Sequence, residues 1–243
     1  MTVGVSAAAL RSYGHPFLLD FLRFVKSPPK VISKLGQGES LSSGSRCCPD
    51  NTLIIFDWDD TLFCTSALKI GENNMAVADL SALQEHVLSL LSLAKCLGKV
   101  AIVTSSSRGW VERSAKKWLP ALLPVLEEIP IIYARERYGS TFPMNSMQWK
   151  LQSFRELHES LALTLGNIVV IGDSRDEMRA AKLFGEMNPG ILVKRAEFSA
   201  RSSLPGLLQK LQLMGVGLRT LVEARKSKKL EINLVRAPDS LPL

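Results

Sequence analysis

The sequence places three aspartates within four residues, directly after a short apolar segment. Asp57, Asp59 and Asp60 follow the letters LIIF, which are typical of a buried strand. Carboxylates this close repel one another, and a metal cation or a cationic side chain would offset the repulsion. Because carboxylate oxygens suit a hard cation, the cluster predicts a Mg²⁺ site. The alternative is a solvated acidic turn in which one aspartate caps a helix.

Asp57 and Asp59 have the spacing that a two-carboxylate reaction requires. Residues two apart in an extended chain face the same side, so both side chains can reach one substrate. One carboxylate can attack a phosphorus atom and form an aspartyl-phosphate. The other can give a proton to the leaving oxygen and later take one from water.

Two further polar clusters also follow apolar runs. TSSS begins at Thr104, and GDSRDE begins at Gly172. In an open parallel sheet, ligands bind in the crevice beyond the carboxyl ends of the strands. We therefore expect the three clusters to meet at one edge of a sheet.

The segments that must position these clusters alternate between strand and helix from residue 52 onward. Short apolar runs predict strands at 52–58, 99–106, 129–135, 167–174, 190–195 and 229–235. Helical spacing predicts helices at 79–98, 109–128 (broken by Pro120 and Pro124), 146–162, 176–185 and 204–225. The alternation implies right-handed crossovers between parallel strands, and uniformly apolar runs imply strands covered on both faces. The predicted fold is α/β, a doubly wound, mostly parallel Rossmann-like sheet with helices on both faces.

Four segments resemble, in order, the motifs of the haloacid dehalogenase (HAD) superfamily. LIIFDWDDTLF resembles the nucleophile motif, and VAIVTSS resembles the second motif. Lys150 stands at the place of the third-motif lysine, and IVVIGDSRDEMRAA resembles the fourth motif. The resemblance covers about residues 50–195, and its specificity lies in the first and fourth motifs together. It implies a magnesium-dependent phosphatase domain over 51–243.

The resemblance implies a role for each acidic residue. Asp57 would be the nucleophile and a metal ligand, and Asp59 the general acid/base with its backbone carbonyl on the metal. Asp173 would bind Mg²⁺ through its carboxylate. The superfamily often has a second acid four residues later, where this chain has Glu177 with Asp176 beside it. We expect Glu177 to be that further metal ligand, and the spare acid to stabilise the start of a helix.

The resemblance also implies phosphate-binding residues. Thr104 would hydrogen-bond the transferring phosphoryl group, with Ser105 as a competing ligand. Lys150 would neutralise the charge of that group and of the nucleophile. The alternatives are that Thr104 caps the next turn and that Lys150 is a surface helical lysine.

The acid at position 59 narrows the reaction. Superfamily members that cleave carbon–halogen bonds lack an acid there, so Asp59 favours a phosphatase or a phosphomutase. We expect a phosphomonoester hydrolase. The alternatives are a phosphotransferase or mutase on the same fold, and a phosphate-binding scaffold protein without turnover.

The intervals between the motifs leave no room for a full cap domain. The chain from Thr61 to Thr104 must hold a helix and a strand, which leaves 62–78 as a loop or one hairpin. The chain from Thr104 to Lys150 is filled by a helix, a strand and the loop 135–146. We therefore expect an open site that admits a bulky phosphorylated substrate, such as a phosphoprotein or another macromolecule.

Three residues after the third predicted strand are candidates for the rim of that site. Arg135, Arg137 and Tyr138 would line it, or would belong to a solvated loop. Trp110 and Trp118 are eight residues apart and are expected to pack on the sheet.

Composition bounds the class of protein. The chain has 243 residues, 46% of them hydrophobic, and a net charge of +7, which permits an anionic partner without naming it. Nucleic acid is not the expected partner, because the basic run 225–229 comes with no reading motif. No apolar run is long enough for a transmembrane helix, and four cysteines without a CxxC pair suit an intracellular protein. Residues 1–50 predict an N-terminal extension, either a targeting segment or a loosely ordered or docking segment.

Overall fold

A computed structural model of the chain describes residues 49–69, 77–160, 165–199 and 203–232. The predicted extension over 1–50 lies outside these ranges apart from its last two residues. The division of the chain into an extension and a phosphatase domain therefore stays a prediction.

Six strands and eight α-helices form the described part of the chain. The strands are β1 (Thr52–Phe56), β2 (Lys99–Thr104), β3 (Ile131–Tyr133), β4 (Asn167–Gly172), β5 (Leu192–Phe198) and β6 (Lys228–Ile232). The helices are α1 (Thr65–Lys69), α2 (Val77–Leu97), α3 (Trp110–Trp118), α4 (Leu123–Leu126), α5 (Ala134–Tyr138), α6 (Ser146–Ser160), α7 (Arg175–Met187) and α8 (Leu204–Glu223). Single 3₁₀ turns lie at Pro49–Asn51 and Pro120–Leu122.

The strands form one sheet in the order β3-β2-β1-β4-β5-β6, and every neighbouring pair is parallel. The order confirms the predicted doubly wound, Rossmann-like α/β fold. Phe56 at the end of β1 is level with Ile102 of β2 and Ile171 of β4. The strand order reverses at β1, with β2 and β3 on one side of it and β4, β5 and β6 on the other. The crevice at the carboxyl end of β1 therefore lies between the two halves of the sheet.

Helices cover both faces of the sheet. Helices α2 and α8 pack against each other on one side, and α6 and α7 pack against each other on the other side. Leu53 and Ile55 belong to the core that includes Phe154 of α6 and Phe184 of α7, all at most 3% exposed. Because strand side chains alternate, Ile54 faces the opposite layer. Burial on both faces explains why the strand sequences are apolar throughout.

Two stretches expected to be loops contain short helices. Within 62–78, expected to be a loop or a hairpin, Thr65–Lys69 form α1, because Asp60 accepts hydrogen bonds from the backbone N–H and hydroxyl of Ser66 in the first turn of this helix. The predicted third strand ends at Tyr133, and the chain turns directly into α5.

The other boundary differences have local causes. The predicted helix 109–128 ends at Trp118 because Pro120 follows, whereas Pro124 lies in the first turn of α4, where proline is tolerated. Strand β5 runs on to Phe198 because Lys194–Phe198 pair with β6.

No separate domain lies between the motifs in the described residues. The described chain between Thr61 and Thr104 contributes only α1 and α2 before β2. Between Thr104 and Lys150 it forms short helices and β3. No described helix combines the length and the apolar surface that a bilayer crossing needs.

Candidate active site

The polar clusters lie at the carboxyl edge of the three central strands. The backbone N–H of Asp57 donates to the carbonyl of Ile171 at 2.9 Å, so the ladder between β1 and β4 continues to the first aspartate. Thr104 ends β2, and Asp173 directly follows β4. The topology therefore brings together residues that are more than 100 positions apart in the sequence.

Lys150 crosses this edge and joins two of the clusters. It lies in the second turn of α6 and is 4% exposed. Its ammonium donates to Oδ1 of Asp57 at 2.6 Å, to Oε1 of Glu177 at 2.7 Å and to the carbonyl of Val103 at 2.6 Å. The three donors of the lysine are all used, so it is not a surface lysine.

This network places two carboxyl groups beside one ammonium. Burial opposes the charge of Lys150, but the attraction of Asp57 and Glu177 outweighs it and holds the lysine's pKa above its ordinary value. Burial raises the pKa of Glu177 to about 8; Lys150 acts in the opposite direction, and the charge of Asp57 adds to the increase. Burial likewise raises the pKa of Asp57. Ionising both buried carboxyl groups beside a single ammonium costs free energy, so a further cation would stabilise this edge of the sheet.

Glu177 reaches Lys150 because residue 172 is a glycine. A Cβ atom at Gly172 would lie 1.4 Å from Oε2 of Glu177, so no larger residue fits beneath the carboxylate. This oxygen is buried and has no hydrogen-bond partner in the described part of the chain. The arrangement makes Glu177 the counterion of Lys150, and its expected metal contact stays a prediction.

Asp176, the neighbour of Glu177, points elsewhere. It accepts a hydrogen bond from the hydroxyl of Ser146 and lies 3.8 Å from Arg179. Ser174 caps α7 by accepting from the N–H of Asp176. Of the two acids that compete in the sequence, Glu177 therefore belongs to the site, and Asp176 belongs to the start of the helix.

Asp59 accepts four hydrogen bonds. Oδ1 accepts from the hydroxyl of Thr65 and from the indole N–H of Trp110, the latter at 2.9 Å. Oδ2 accepts from Thr104 at 3.2 Å and from Ser106 at 2.6 Å. An ionised carboxylate has about four acceptor positions, so neutral donors occupy all of them here.

Sequence reasoning missed Thr65, Ser106 and Trp110 as neighbours of Asp59. Ser106 had a usable signal, because it lies two residues after Thr104 and therefore faces the same side. Ser106, and not the expected Ser105, donates to Asp59 together with Thr104. No hydrogen bond of the Ser105 side chain is described. The expected contact of Thr104 with a phosphoryl group stays a prediction.

Trp110 belongs to an aromatic cluster beside Asp59. Its ring lies 6.2 Å from Phe63 and 6.3 Å from Trp118, and the Phe63 ring lies 5.9 Å from Trp58. Trp58 is fully buried and donates to Ser114 at 3.0 Å. The two tryptophans of α3 therefore pack on the loop after β1, which bears Phe63.

Asp60 has a structural task. Its backbone has φ of 53°, and its carboxylate holds Ser66 at the start of α1. The alternative in which one aspartate caps a helix therefore applies to Asp60, while Asp57 and Asp59 face the polar edge.

Asp173 adds a carboxylate that is partly buried at the same edge. Burial, together with the charges of Asp57 and Asp60, raises its pKa to about 7. Lys210 of α8 is fully buried, and its ammonium donates to the carbonyl of Ser199. Burial lowers the pKa of Lys210 to about 8, although Asp173 and Asp60 act in the opposite direction.

The carboxylate oxygens at this edge of the sheet suit Mg²⁺ better than a metal that takes all of its ligands from protein side chains. Within the described ranges, no three His, Cys, Asp or Glu side chains are gathered around one point. Mg²⁺ in phosphoryl-transfer sites usually uses one or two carboxylates and fills its other positions with water and phosphate oxygens. Asp57 and Asp173 would be such a pair, since the charge of Asp57 helps to raise the pKa of Asp173.

The three expected rim residues, Arg135, Arg137 and Tyr138, all lie on α5. Arg137 lies 2.7 Å from Glu156, and the hydroxyl of Tyr138 donates to the same carboxylate at 2.5 Å. Arg137 also lines a cavity of about 500 Å³ beside β3, whereas Arg135 is exposed. A rim role for these three residues stays a prediction.

Comparison of the chain with protein-family models, with curated proteins and with solved structures finds no match. The resemblance to the HAD superfamily therefore rests on its four motifs.

Proposed function

We propose that this protein is a magnesium-dependent phosphomonoester hydrolase that acts through an aspartyl-phosphate. One observation carries the proposal. The ammonium of Lys150 lies 2.6 Å from Oδ1 of Asp57, although the two residues are 93 positions apart. A buried carboxylate held by a fixed cation, with a second carboxylate two residues later, is what phosphoryl transfer to an enzyme group requires.

The first half of the reaction uses both aspartates. Oδ2 of Asp57, the oxygen that Lys150 does not hold, attacks phosphorus, and the bond from phosphorus to the leaving oxygen breaks. Asp59 gives its proton to that oxygen, so the substrate leaves as an alcohol. The charge of Lys150 stabilises the phosphoryl oxygens during transfer.

The second half regenerates the site. Asp59, now a carboxylate, takes a proton from water, and the oxygen of that water bonds to phosphorus. The bond between phosphorus and Asp57 breaks, and inorganic phosphate leaves. Thr104 and Ser106 hold Asp59 at 3.2 and 2.6 Å, and both hydroxyls can turn toward phosphoryl oxygens.

Asp57, Asp173 and the backbone carbonyl of Asp59 would hold Mg²⁺. When bound, the ion supplies positive charge to the transferring phosphoryl group. The fourth acid, Glu177, holds Lys150 at 2.7 Å and thereby keeps the ammonium beside Asp57. Because the described residues between the motifs form no separate domain, the site would be open and would admit a phosphate carried on a large molecule. An intracellular location is also part of the proposal.

The test is phosphate release from an aryl phosphate with and without Mg²⁺. Wild type is compared with Asp57→Asn and Asp59→Asn, and Asp79→Asn at the exposed start of α2 is the control for loss of one charge. We expect magnesium-dependent release from wild type and the control, and none from Asp57→Asn. Release that persists in Asp57→Asn would contradict the aspartyl-phosphate.

A folded wild-type protein that releases no phosphate in Mg²⁺ would favour a binding protein over an enzyme. Transfer of the phosphoryl group to an added alcohol, in place of release, would indicate a phosphotransferase.

A further inference from the structure

A groove of about 930 Å³ begins at Asp173 and runs along the carboxyl ends of β5 and β6. Helix α7 packs on β4 and β5, and α8, which connects β5 to β6, packs with α2 on the opposite face. In the part of the chain that the structure describes, α7 is therefore the wall of the groove, and the two outer strands form its floor. The groove has the volume of a ligand site and starts at a candidate metal ligand.

The floor of the groove carries paired charges. Arg195 and Glu197 of β5 are level with Lys229 and Glu231 of β6, so the four side chains share one face of the sheet. Lys229 lies 2.5 Å from Glu197 and 2.6 Å from Glu231. This lysine is neutralised within the protein.

Three arginines of the groove can reach a ligand, two of them without an ion pair among the described residues and the third in a long, exposed pair. Neither Arg175 nor Arg195 has a carboxylate within 4.0 Å among the described residues, and Arg195 donates only to the carbonyl of Met178 at 3.2 Å. Arg179 lies 3.8 Å from Asp176, and its side chain is 74% exposed. Guanidinium groups bind carboxylates with two parallel hydrogen bonds, so the groove can hold acidic side chains.

We propose that this groove binds the polypeptide beside a phosphorylated residue and selects phosphoproteins whose flanking residues are acidic. The inference rests on the proposed phosphatase function, because it places the phosphate at Asp57 and the flank beyond Asp173. From β4 to β6 the groove spans two inter-strand spacings, or about 10 Å, which is the length of about three extended residues.

The lining favours a peptide over nucleic acid. Glu197 and Glu231 together outnumber the charge of Lys229 and would repel a continuous phosphodiester backbone, whereas a peptide can place separate acidic side chains on the arginines. Single-stranded nucleic acid usually stacks its bases on aromatic rings. Phe198, the aromatic residue at this groove, is fully buried.

The experiment compares kcat/KM for three phosphoserine peptides that differ only in acidic, neutral or basic flanks. A 5′-phosphorylated oligonucleotide and an aryl phosphate complete the panel. Arg179→Glu is the test variant, because its exposed side chain can change without loss of folding. Lys182→Glu, on the same helix and paired with Glu186 at 3.3 Å outside the groove, is the control with the same change of charge.

We expect the acidic peptide to be the best substrate and Arg179→Glu to reduce its advantage over the neutral peptide about three- to fivefold. Lys182→Glu should keep the wild-type preference. Equal rates for all flanks, a preference that survives Arg179→Glu, or a preference for the oligonucleotide would overturn the groove assignment while the aryl phosphate still reports a phosphatase.

A binding measurement separates the two proposals when turnover is absent. Fluorescence anisotropy of the labelled acidic phosphopeptide is recorded with Asp57→Asn, and again with Asp57→Asn/Arg179→Glu. We expect binding that weakens about three- to fivefold in the double variant. If wild type binds the peptide without turning it over, only the proposed enzymatic activity is overturned. If Asp57→Asn does not bind the peptide, the groove assignment is overturned.

Discussion

The two aspartates of the first motif are held in opposite ways. Asp57 is buried against one ammonium, which in turn is held by a second buried carboxylate. Asp59, two residues later, is held by three hydroxyls and an indole, all of them neutral. A charged network orients one carboxylate, and a set of small dipoles orients the other.

The difference follows from what each group must do. A nucleophile keeps its place throughout the reaction, and a fixed cation stabilises its charged form and that of the phosphoryl group. A general acid/base changes its charge twice in a turnover, and the three hydroxyls around Asp59 can rotate to donate to its carboxylate or to accept from its carboxylic acid, which a fixed ammonium could not do. Substitutions in the charged network of Asp57 should therefore reduce activity far more than substitutions among the neutral donors around Asp59.

The largest effect is expected from the nucleophile itself. Asp57→Asn should reduce kcat about 10⁴-fold or more for every substrate, because no covalent intermediate can form. Asp59→Asn should still give one burst of aryl alcohol, since an activated leaving group departs without a proton. Rapid-quench measurements of the first turnover check this, and equal loss of the burst in both variants would remove the distinction between the two roles.

Breaking the charged network should affect activity and stability together. Lys150→Met leaves two carboxylates buried without a cation, which costs about 3–5 kcal/mol of the free energy of unfolding. For a chain of this size, about 2–4 °C of Tm is lost for each kcal/mol. The double variant Lys150→Met/Glu177→Gln removes one of the stranded charges.

Calorimetry and phosphate release distinguish the two roles of Lys150. The double variant should regain part of the lost Tm but none of the activity, because nothing replaces the ammonium beside Asp57. Recovery of activity along with stability would mean that Lys150 is only structural.

The sheet could be predicted from the sequence because its strands are short apolar runs that alternate with helices. The convergence of Asp57, Thr104 and Asp173 follows from that topology, since they end neighbouring parallel strands. The contact of Lys150 with Asp57 came from the resemblance alone. No spacing rule states how far a helical lysine will reach over a sheet edge.

What could not be predicted depends on a few local angles. Asp176 and Glu177 are adjacent in the first turn of α7, and which of them faces the site depends on where the helix begins. Trp110 meets Asp59 because Gly109, with φ of 74°, sets the direction in which α3 starts. A shift of one residue at either place would exchange the partners without changing the hydrophobic pattern.

A moderate effect is expected from Asp173, and it depends on pH. Its pKa in the folded protein is about 7 against an ordinary value of 3.8, so the folded chain binds its proton more tightly than the unfolded chain. Without metal, this group makes the protein less stable as pH rises from 4 to 7. Asp173→Asn should therefore be more stable than wild type at pH 8, by at most about 4 kcal/mol, and nearly equal to it at pH 4.

Urea unfolding at the two pH values measures this difference, with Asp79→Asn as the control. Mg²⁺ at pH 8 should stabilise wild type and leave Asp173→Asn nearly unchanged, because the ion binds the native carboxylate. If Mg²⁺ stabilises both proteins equally, Asp173 is not a ligand.

The smallest effects are expected from the neutral donors around Asp59. Ser106→Ala or Trp110→Phe removes one hydrogen bond, worth about 1 kcal/mol, which is about fivefold in kcat, because three donors still hold the carboxylate. Ser107→Ala, at an exposed position in the same loop, should have no effect. The double variant Ser106→Ala/Trp110→Phe leaves one donor on each carboxylate oxygen and should lose more than the product of the single effects, since Asp59 can then turn. Strictly multiplicative losses would mean that the donors act independently and that their number does not fix the position of the acid/base.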